Sequence, residues 1–394
     1  MRYPDYIDEI ICRLEAAGET AYIVGGSLRD ILIGTPPHDY DLTTSARPEK
    51  TLEVFSDKRV IETGIKHGTV TVIWDGQPVE ITTMRVDGDY TDLRHPDTVS
   101  FTSKIQEDLS RRDFTVNAMA YNKKDGLVDC FNGRDDIEKR LLRAVGDPAL
   151  RFSEDALRIM RAFRFAAQLG FEIESNTLSA AILKAEGLAN IARERICSEF
   201  IKLITSPFPE TPLALMAEYG IFEYVTKGYA PSQKTIHRIG QAPQSDTARL
   251  AAVLLDTDEE SARSYLSELR CSGKQITGAL ATMRGAKMCI NTEADARQLI
   301  AITGIYAPYA AGLSELMGVS PAGAVSSVLR QQSTPCKLRD LKINGKDVAQ
   351  MGAEGKLIGS TLDALMKEVI NDPSLNQRQT LLELAQQILN KKGY

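Results

Sequence analysis

The sequence predicts an α+β chain, a mixed sheet with helices at the N-terminus followed by all-helical domains, and three observations carry that prediction. Period-two apolar runs crowd into the first 145 or so residues, and helical periodicity takes over beyond them. Two aspartates, Asp39 and Asp41, stand two apart in His38-Asp39-Tyr40-Asp41-Leu42-Thr43-Thr44. They follow closely on Gly25-Gly26-Ser27-Leu28-Arg29-Asp30.

Residues 21–24 read as a short buried strand, Gly25-Gly26 as a tight turn, and 27–33 as a helix whose N-terminus points back toward the aspartates. Glycines at that turn let a phosphate chain approach the backbone amides, and Arg29 adds a contact one turn in. In an extended strand, alternate side chains share a face. Asp39 and Asp41 then project together and can hold one or two divalent ions, as a metal-dependent phosphoryl or nucleotidyl transfer site requires; a solvated turn is the alternative. The run 69–74 puts Val70, Val72 and Trp74 on one face, and 78–84 alternates Val79, Ile81 and Thr83. Glu80 faces opposite Val79 and Ile81. If its strand neighbours the aspartates, it completes a three-carboxylate site.

Helical patterns follow at 153–169, with a stripe of Ala156, Ile159, Met160, Phe163 and Ala167, and at 191–204, 212–219, 246–255 and 261–269. A last helical segment covers 346–387. Seams at Gly146-Asp147-Pro148, Ser206-Pro207-Phe208-Pro209 and Ser333-Thr334-Pro335 divide the chain into 1–145, 146–205, 206–332 and 333–394.

At 394 residues the chain exceeds a single core. With 43% hydrophobic and 25% charged residues its composition is ordinary, and no uninterrupted apolar run approaches the ~20 residues of a membrane span. No secretory leader is expected. Cys12, Cys130, Cys197, Cys271, Cys289 and Cys336 lack paired metal spacing, which fits a reducing cytoplasm. A net charge of −6 argues against non-specific coating of nucleic acid, yet residues 111–164 hold twelve Lys or Arg against nine Asp or Glu, room for a local basic groove. His38-Asp39 lacks the further histidines that a His-Asp phosphohydrolase needs.

Two more clusters bear chemistry. In the segment from Glu107 to Ala118, Arg112 and Asn117 can reach phosphates and sugar, or else Asp113 caps a helix that carries surface arginines. In the segment from Arg151 to Arg164, Asp155 and Arg158 stand one helical turn apart. Such a pair either forms an intrahelical salt bridge or reads a base edge, Asp accepting from an exocyclic amine and Arg donating to ring acceptors. Cytosine and adenine display that amine; uracil and guanine present a carbonyl instead. Arg161 and Arg164 continue the row.

Taken together, GGSLRD, HDYDLTT, RRDFTVNAMAYN and RFSEDALRIMRAFRFAAQLGF resemble the class II tRNA nucleotidyltransferases, the CCA-adding enzymes, with further likeness in IETGIKHGTVTV, LVDCFNGRDDIEKRLLRAVGD, IARERICSEF and LKINGKDV. The resemblance implies a polymerase β-like nucleotidyltransferase head, a neck reading the base with protein groups, and a body and tail gripping tRNA at its 3′ end and acceptor and T arm. It implies Mg²⁺ on Asp39 and Asp41, with Glu80 as a third catalytic candidate. The implied nucleotide-binding set is Gly25, Gly26, Arg29, Arg112, Asp113, Asn117, Asp155, Arg158, Arg161 and Arg164. CTP and ATP are the expected substrates, tRNA the partner, with no membrane and no DNA. Sister enzymes that add CC, add A alone or make poly(A) share the head motifs. The segment 85–96 resembles a loop that CC-adding members shorten, which leaves A-only and poly(A) addition as rivals.

Overall fold

A computed structural model describes residues 1–62, 64–65, 68–88, 99–226 and 228–391. The chain divides into two compact units, Met1–Ala230 and Pro231–Tyr394.

The first unit opens with helix α1 (Asp5–Ala16), strand β1 (Ala21–Val24), helix α2 (Gly25–Ile33), strand β2 (Tyr40–Thr44), helix α3 (Pro48–Val54) and strands β3 (Arg59–Ile61), β4 (Thr69–Trp74) and β5 (Gln77–Thr83). A short ladder of β6 (Arg85–Asp87) and β7 (Val99–Phe101) leads to helix α4 (Ile105–Ser110), then β8 (Met119–Asn122), β9 (Gly126–Asp129) and α5 (Gly133–Glu138). The main sheet has seven strands in the order β3-β4-β5-β2-β1-β8-β9. It is mixed, because β2 runs parallel to β5 while its other pairings are antiparallel.

Side-chain alternation sorts the sheet into two faces. Ile23, Leu42, Val70, Val72, Val79 and Ile81 pack with Ile7, Ile10, Ile11 and Leu14 of α1, while Tyr22, Val24 and Ala120 join Ile105 and Leu109 of α4 on the other side. Since Leu42, Val79 and Ile81 point toward α1, Asp41 and Glu80 point away from it.

The unit continues with β10 (Leu141–Leu142), α6 (Pro148–Glu154), α7 (Leu157–Leu169), β11 (Glu172–Ile173), α8 (Ser175–Leu183) and α9 (Arg193–Thr205), followed by two shorter helices ending at Thr226. β10 pairs with β11 in parallel. Arg143 extends that junction with ion pairs to Asp136 and Glu174. The second unit is built from ten helices among the described residues, from Gln233–Gln241 to Arg378–Lys391.

Several expectations need correction. Gly25 and Gly26 belong to the first turn of α2 rather than to a separate turn, and Gly25 takes φ +69°, which a side chain would resist. Asp39 lies in the bend before β2, so only Asp41 is a strand residue. The helix expected over 153–169 is interrupted, with Asp155 extended between α6 and α7. Asp113 caps no helix; a 3-10 turn follows at Thr115–Asn117. The last helical segment is three helices, Gly345–Gln350, Lys356–Asn371 and Arg378–Lys391. The stretch Glu293–Leu316 reaches a mean hydropathy of 1.2 over a window long enough for a membrane span. It is two helices broken at Gly304, and Ala296, Leu299, Ala307, Ala310 and Ala311 serve a core within the unit. Of the segment 85–96, residues 89–96 lie outside the described residues, as do Thr63, Lys66 and His67 of the IETGIKHGTVTV motif.

Candidate active site

All the candidate residues, Asp39, Asp41, Glu80, Gly25, Gly26, Arg29, Arg112, Asp113, Asn117, Asp155, Arg158, Arg161 and Arg164, line one cleft of about 830 Å³ in the first unit. One wall is acidic. The parallel ladder sets Asp41 directly alongside Glu80, and Thr71 of β4 flanks Glu80 from the other side. Ser27 steadies the approach of β2, its hydroxyl accepting from the Asp41 amide at 3.3 Å and donating to the Val24 carbonyl at 2.8 Å.

Burial pushes the Asp41 carboxyl up to about 6, Asp39 and Glu80 push the same way, and Arg112 opposes them. A group crowded by two like charges in a half-enclosed cleft fits a divalent cation, which relieves that repulsion, so Asp39 and Asp41 are the pair that could hold one. Among the described residues no three acidic, histidine or cysteine side chains are drawn together as a metal-ligand cluster. Glu80 therefore stands beside Asp41 without forming a closed triad.

The opposite wall is built of guanidiniums, each backed by a carboxylate. Arg29, almost fully buried, donates from Nε and Nη2 to Asp30 and from Nη1 to Asn117 at 2.8 Å. Asn117 in turn donates to Asp113 at 3.2 Å. Asp113 accepts Nε and Nη2 of Arg161 at 2.8 and 2.6 Å. Burial alone would raise the Asp113 pKa, but Arg161, with Arg158 and Asn117 adding to it, outweighs burial and holds the carboxyl at about 2. Asp108, fully buried, takes Arg111 at 2.7 Å and Arg112 at 3.1 Å. Arg112 also reaches the helix start, where a Cβ on Gly25 would stand 3.3 Å from its Nη1 and 3.5 Å from the Asp41 carboxylate.

The third wall is the break between α6 and α7. Asp155 does not pair with Arg158. Its Oδ1 accepts the Leu157 amide at 2.9 Å, the local capping bond that competes with helix continuation, and its Oδ2 accepts Arg195 of α9 at 3.0 Å. Arg158 donates instead to Glu154 at 2.6 Å and to the Arg111 carbonyl at 3.2 Å. Neither of the expected pair is spent on the other, and both line the cleft.

Three stretches of the chain match known family descriptions: the poly(A) polymerase head domain over residues 21–143, the RNA- and SrmB-binding region of polymerase A over 170–232, and tRNA nucleotidyltransferase domain 2 over 241–385. The CCA-adding enzyme of Limosilactobacillus fermentum is 36% identical over 389 residues, 96% of each chain, and that of Geobacillus stearothermophilus is 34% identical over 391 residues, 94% of each. The chain belongs to the CCA-adding enzyme family. A solved Bacillus stearothermophilus CCA-adding enzyme in complex with CTP superposes with a TM-score of 0.86 at 31% identity, covering 99% of both chains.

In this family member the cleft also holds residues that sequence reading passed over: Arg195, Arg111 and Phe165 line it, with Asp108 and Glu154 behind. Arg195 sits in IARERICSEF, where its motif was visible but its partner, 40 residues away, was not. Phe165 reads as helix filler. Asp108 is fully buried beside two arginines, a pairing that local spacing alone does offer.

The Asp113–Arg161 pair generates a pH prediction. A carboxyl depressed from 3.8 to about 2 contributes stability present above its unfolded pKa and lost as pH falls through the folded one. Asp113→Asn is expected to cost about 2 kcal/mol at neutral pH, with the gap to the unchanged protein closing between about pH 4 and pH 2. Urea unfolding across that range measures it, and a gap constant with pH refutes the assignment.

Proposed function

We propose that this chain completes the 3′ end of tRNA without a nucleic-acid template, adding C, C and A from CTP and ATP and releasing pyrophosphate. One observation carries the reading: the acidic wall of Asp41 and Glu80, the arginine wall and the Asp155/Arg158 break face a single cleft large enough for a nucleotide. The tRNA 3′ hydroxyl attacks the α-phosphorus, an O–P bond forms, and the bond to the bridging oxygen breaks as pyrophosphate leaves. Asp39 and Asp41 are assigned to a divalent ion, proposed as Mg²⁺, with Glu80 as a neighbouring acidic group. When held by that pair, such an ion would supply Lewis acidity, easing loss of the attacking hydroxyl's proton and offsetting charge on the leaving group.

The remaining roles belong to this chain's own groups. Gly25 and Gly26 let the phosphates approach the first amides of α2, and Arg29, Arg112, Arg161 and Arg164 bind them. Asp113 and Asn117 hold Arg161 and Arg29 in place. Asp155 accepts from the base amine and Arg158 donates to the ring acceptors, so uracil and guanine are refused. We assign 1–145 as the catalytic head, 146–205 as the neck that reads the base, and 206–332 and 333–394 as body and tail holding the acceptor and T arm, in the cytoplasm.

Incubation of the protein with Mg²⁺ and tRNA ending before CCA, after C or after CC, with CTP, ATP or both, is expected to extend the bare tRNA to full CCA on a single-nucleotide gel. Addition of A alone to the CC end identifies an A-adding specialist; long A tails identify a poly(A) polymerase. Asp41→Ala should lower turnover by at least about a thousandfold, a loss of several kcal/mol of transition-state stabilisation, while filter binding of tRNA stays near normal. Retained turnover removes Asp41 from the metal site. Both Asp155→Ala and Arg195→Ala should raise UTP incorporation relative to CTP by about tenfold or more, the worth of one good base contact. Unchanged selectivity in both returns Asp155 to a structural role.

A further inference from the structure

Phe165 of α7 is nearly buried in the cleft wall, and three guanidiniums gather on its ring. The Arg164 carbon lies 3.8 Å from the ring centroid, that of Arg161 5.2 Å and that of Arg29 5.4 Å. All are within the range at which a cation is attracted to an aromatic face. Phe114 anchors the ring in a T-shaped contact at 5.8 Å.

The three arginines come from two elements, Arg29 from α2 and the others from α7. Each is held from its polar edge: Arg29 by Asp30 through Nε and Nη2 and by Asn117 through Nη1, Arg161 by Asp113 through Nε and Nη2, and Arg164 by an ion pair with Glu199 and by Gln168 at 3.2 Å. The Phe165 ring is a surface that all three share. A further carboxylate could draw the three together as well, but only by adding negative charge where a polyphosphate must come. An aromatic face attracts the cations through its quadrupole and carries no net charge.

We propose that Phe165 is a positioning residue for the polyphosphate of the incoming nucleotide: its ring assembles Arg29, Arg161 and Arg164 into one set before the ligand arrives. The inference rests on the reading of those arginines as phosphate contacts. It assigns Phe165 no part in choosing the base.

The test replaces Phe165 in the full chain by mono-, di- and trifluorophenylalanine, which drain the ring face of electron density at nearly constant shape. Inorganic tripolyphosphate is the probe, titrated at fixed low ionic strength, alongside KM and kcat for CTP and ATP. The dissociation constant is expected to rise with each fluorine, reaching about tenfold for the trifluoro ring. KM for both nucleotides should rise together, kcat and the preference for CTP over UTP should change little, and the midpoint of thermal unfolding should hold. Phe165→Tyr keeps the affinity; Phe165→Leu loses it. A dissociation constant flat across the fluorinated series overturns the proposal and leaves Phe165 a packing residue. Arg164→Ala separates the two layers. If it weakens tripolyphosphate binding while fluorination does not, the inference about Phe165 falls and the phosphate reading stands; if it too has no effect, the phosphate reading falls and takes the inference with it.

Discussion

The main sheet contains one parallel pairing, β2 against β5, and the chemistry of the cleft depends on its register. Asp41 aligns with Glu80, and the next rung aligns Leu42 with Ile81. The same ladder therefore builds the core on one face and the acidic wall on the other. A slip of one residue in either strand turns its apolar set into the cleft and drives a carboxylate under α1. Leu42 and Ile81 are each 1% exposed, and burial of such side chains stabilises by roughly 2 kcal/mol apiece. An unpaired carboxylate in their place costs several more. Packing thus enforces the alignment of the site, and the separation of the two acidic groups cannot drift without unfolding the sheet.

The arginine wall obeys a second constraint. Asp108, Asp113, Glu154 and Glu199 each stand behind one or more guanidiniums that line the cleft. Desolvation offsets much of the attraction in ion pairs at this depth, so the net stabilisation is modest, about 2 kcal/mol where Asp113 meets Arg161. They also contribute direction. Donors aligned in advance need no reorganisation when a polyanion arrives, and in a partly enclosed cleft they act through a lower dielectric than water offers. The crowding that raises the Asp41 pKa to about 6 is the acidic counterpart: like charges are held close, at a cost to folding that a bound cation removes.

Much of this was legible in the sequence, and the remainder was hidden for identifiable reasons. Strand alternation located Val79, Glu80 and Ile81 on their faces, but no local pattern states that β5 lies beside β2, since that neighbour is set by the crossover through α3, β3 and β4. The spacing of Asp155 and Arg158 read as one helical turn because the apolar stripe runs on to Ala167 without a break. The Asp155 side chain captures the Leu157 amide and ends the helix there, a competition that periodicity does not register. Arg195 was out of reach because its partner is distant in sequence. Phe165 was overlooked because an aromatic residue on a helix is ordinarily core, and only the convergence of α2 with α7 shows what its ring faces.

The interruption at Asp155 has a bearing on how one site serves two bases. Cytosine and adenine both place an amine beside an unprotonated ring nitrogen, so a carboxylate next to a guanidinium answers either edge. The purine is larger by a ring, and with the triphosphate gripped in one place its edge meets the protein at a different depth. A side chain in the middle of a helix can follow that change only through its own rotamers, because its backbone is locked by hydrogen bonds on both sides. Asp155 stands in extended backbone at φ −141° and ψ 103°, yet it too is held on both sides, its amide donating to the Arg151 carbonyl at 3.5 Å and its carbonyl accepting the Arg158 amide at 2.9 Å. Its carboxylate accepts the Leu157 amide and Arg195. On the proposed reading, the helix break fixes the carboxylate at the cleft, and the adjustment between pyrimidine and purine falls to the side-chain rotamers of Asp155 and Arg158.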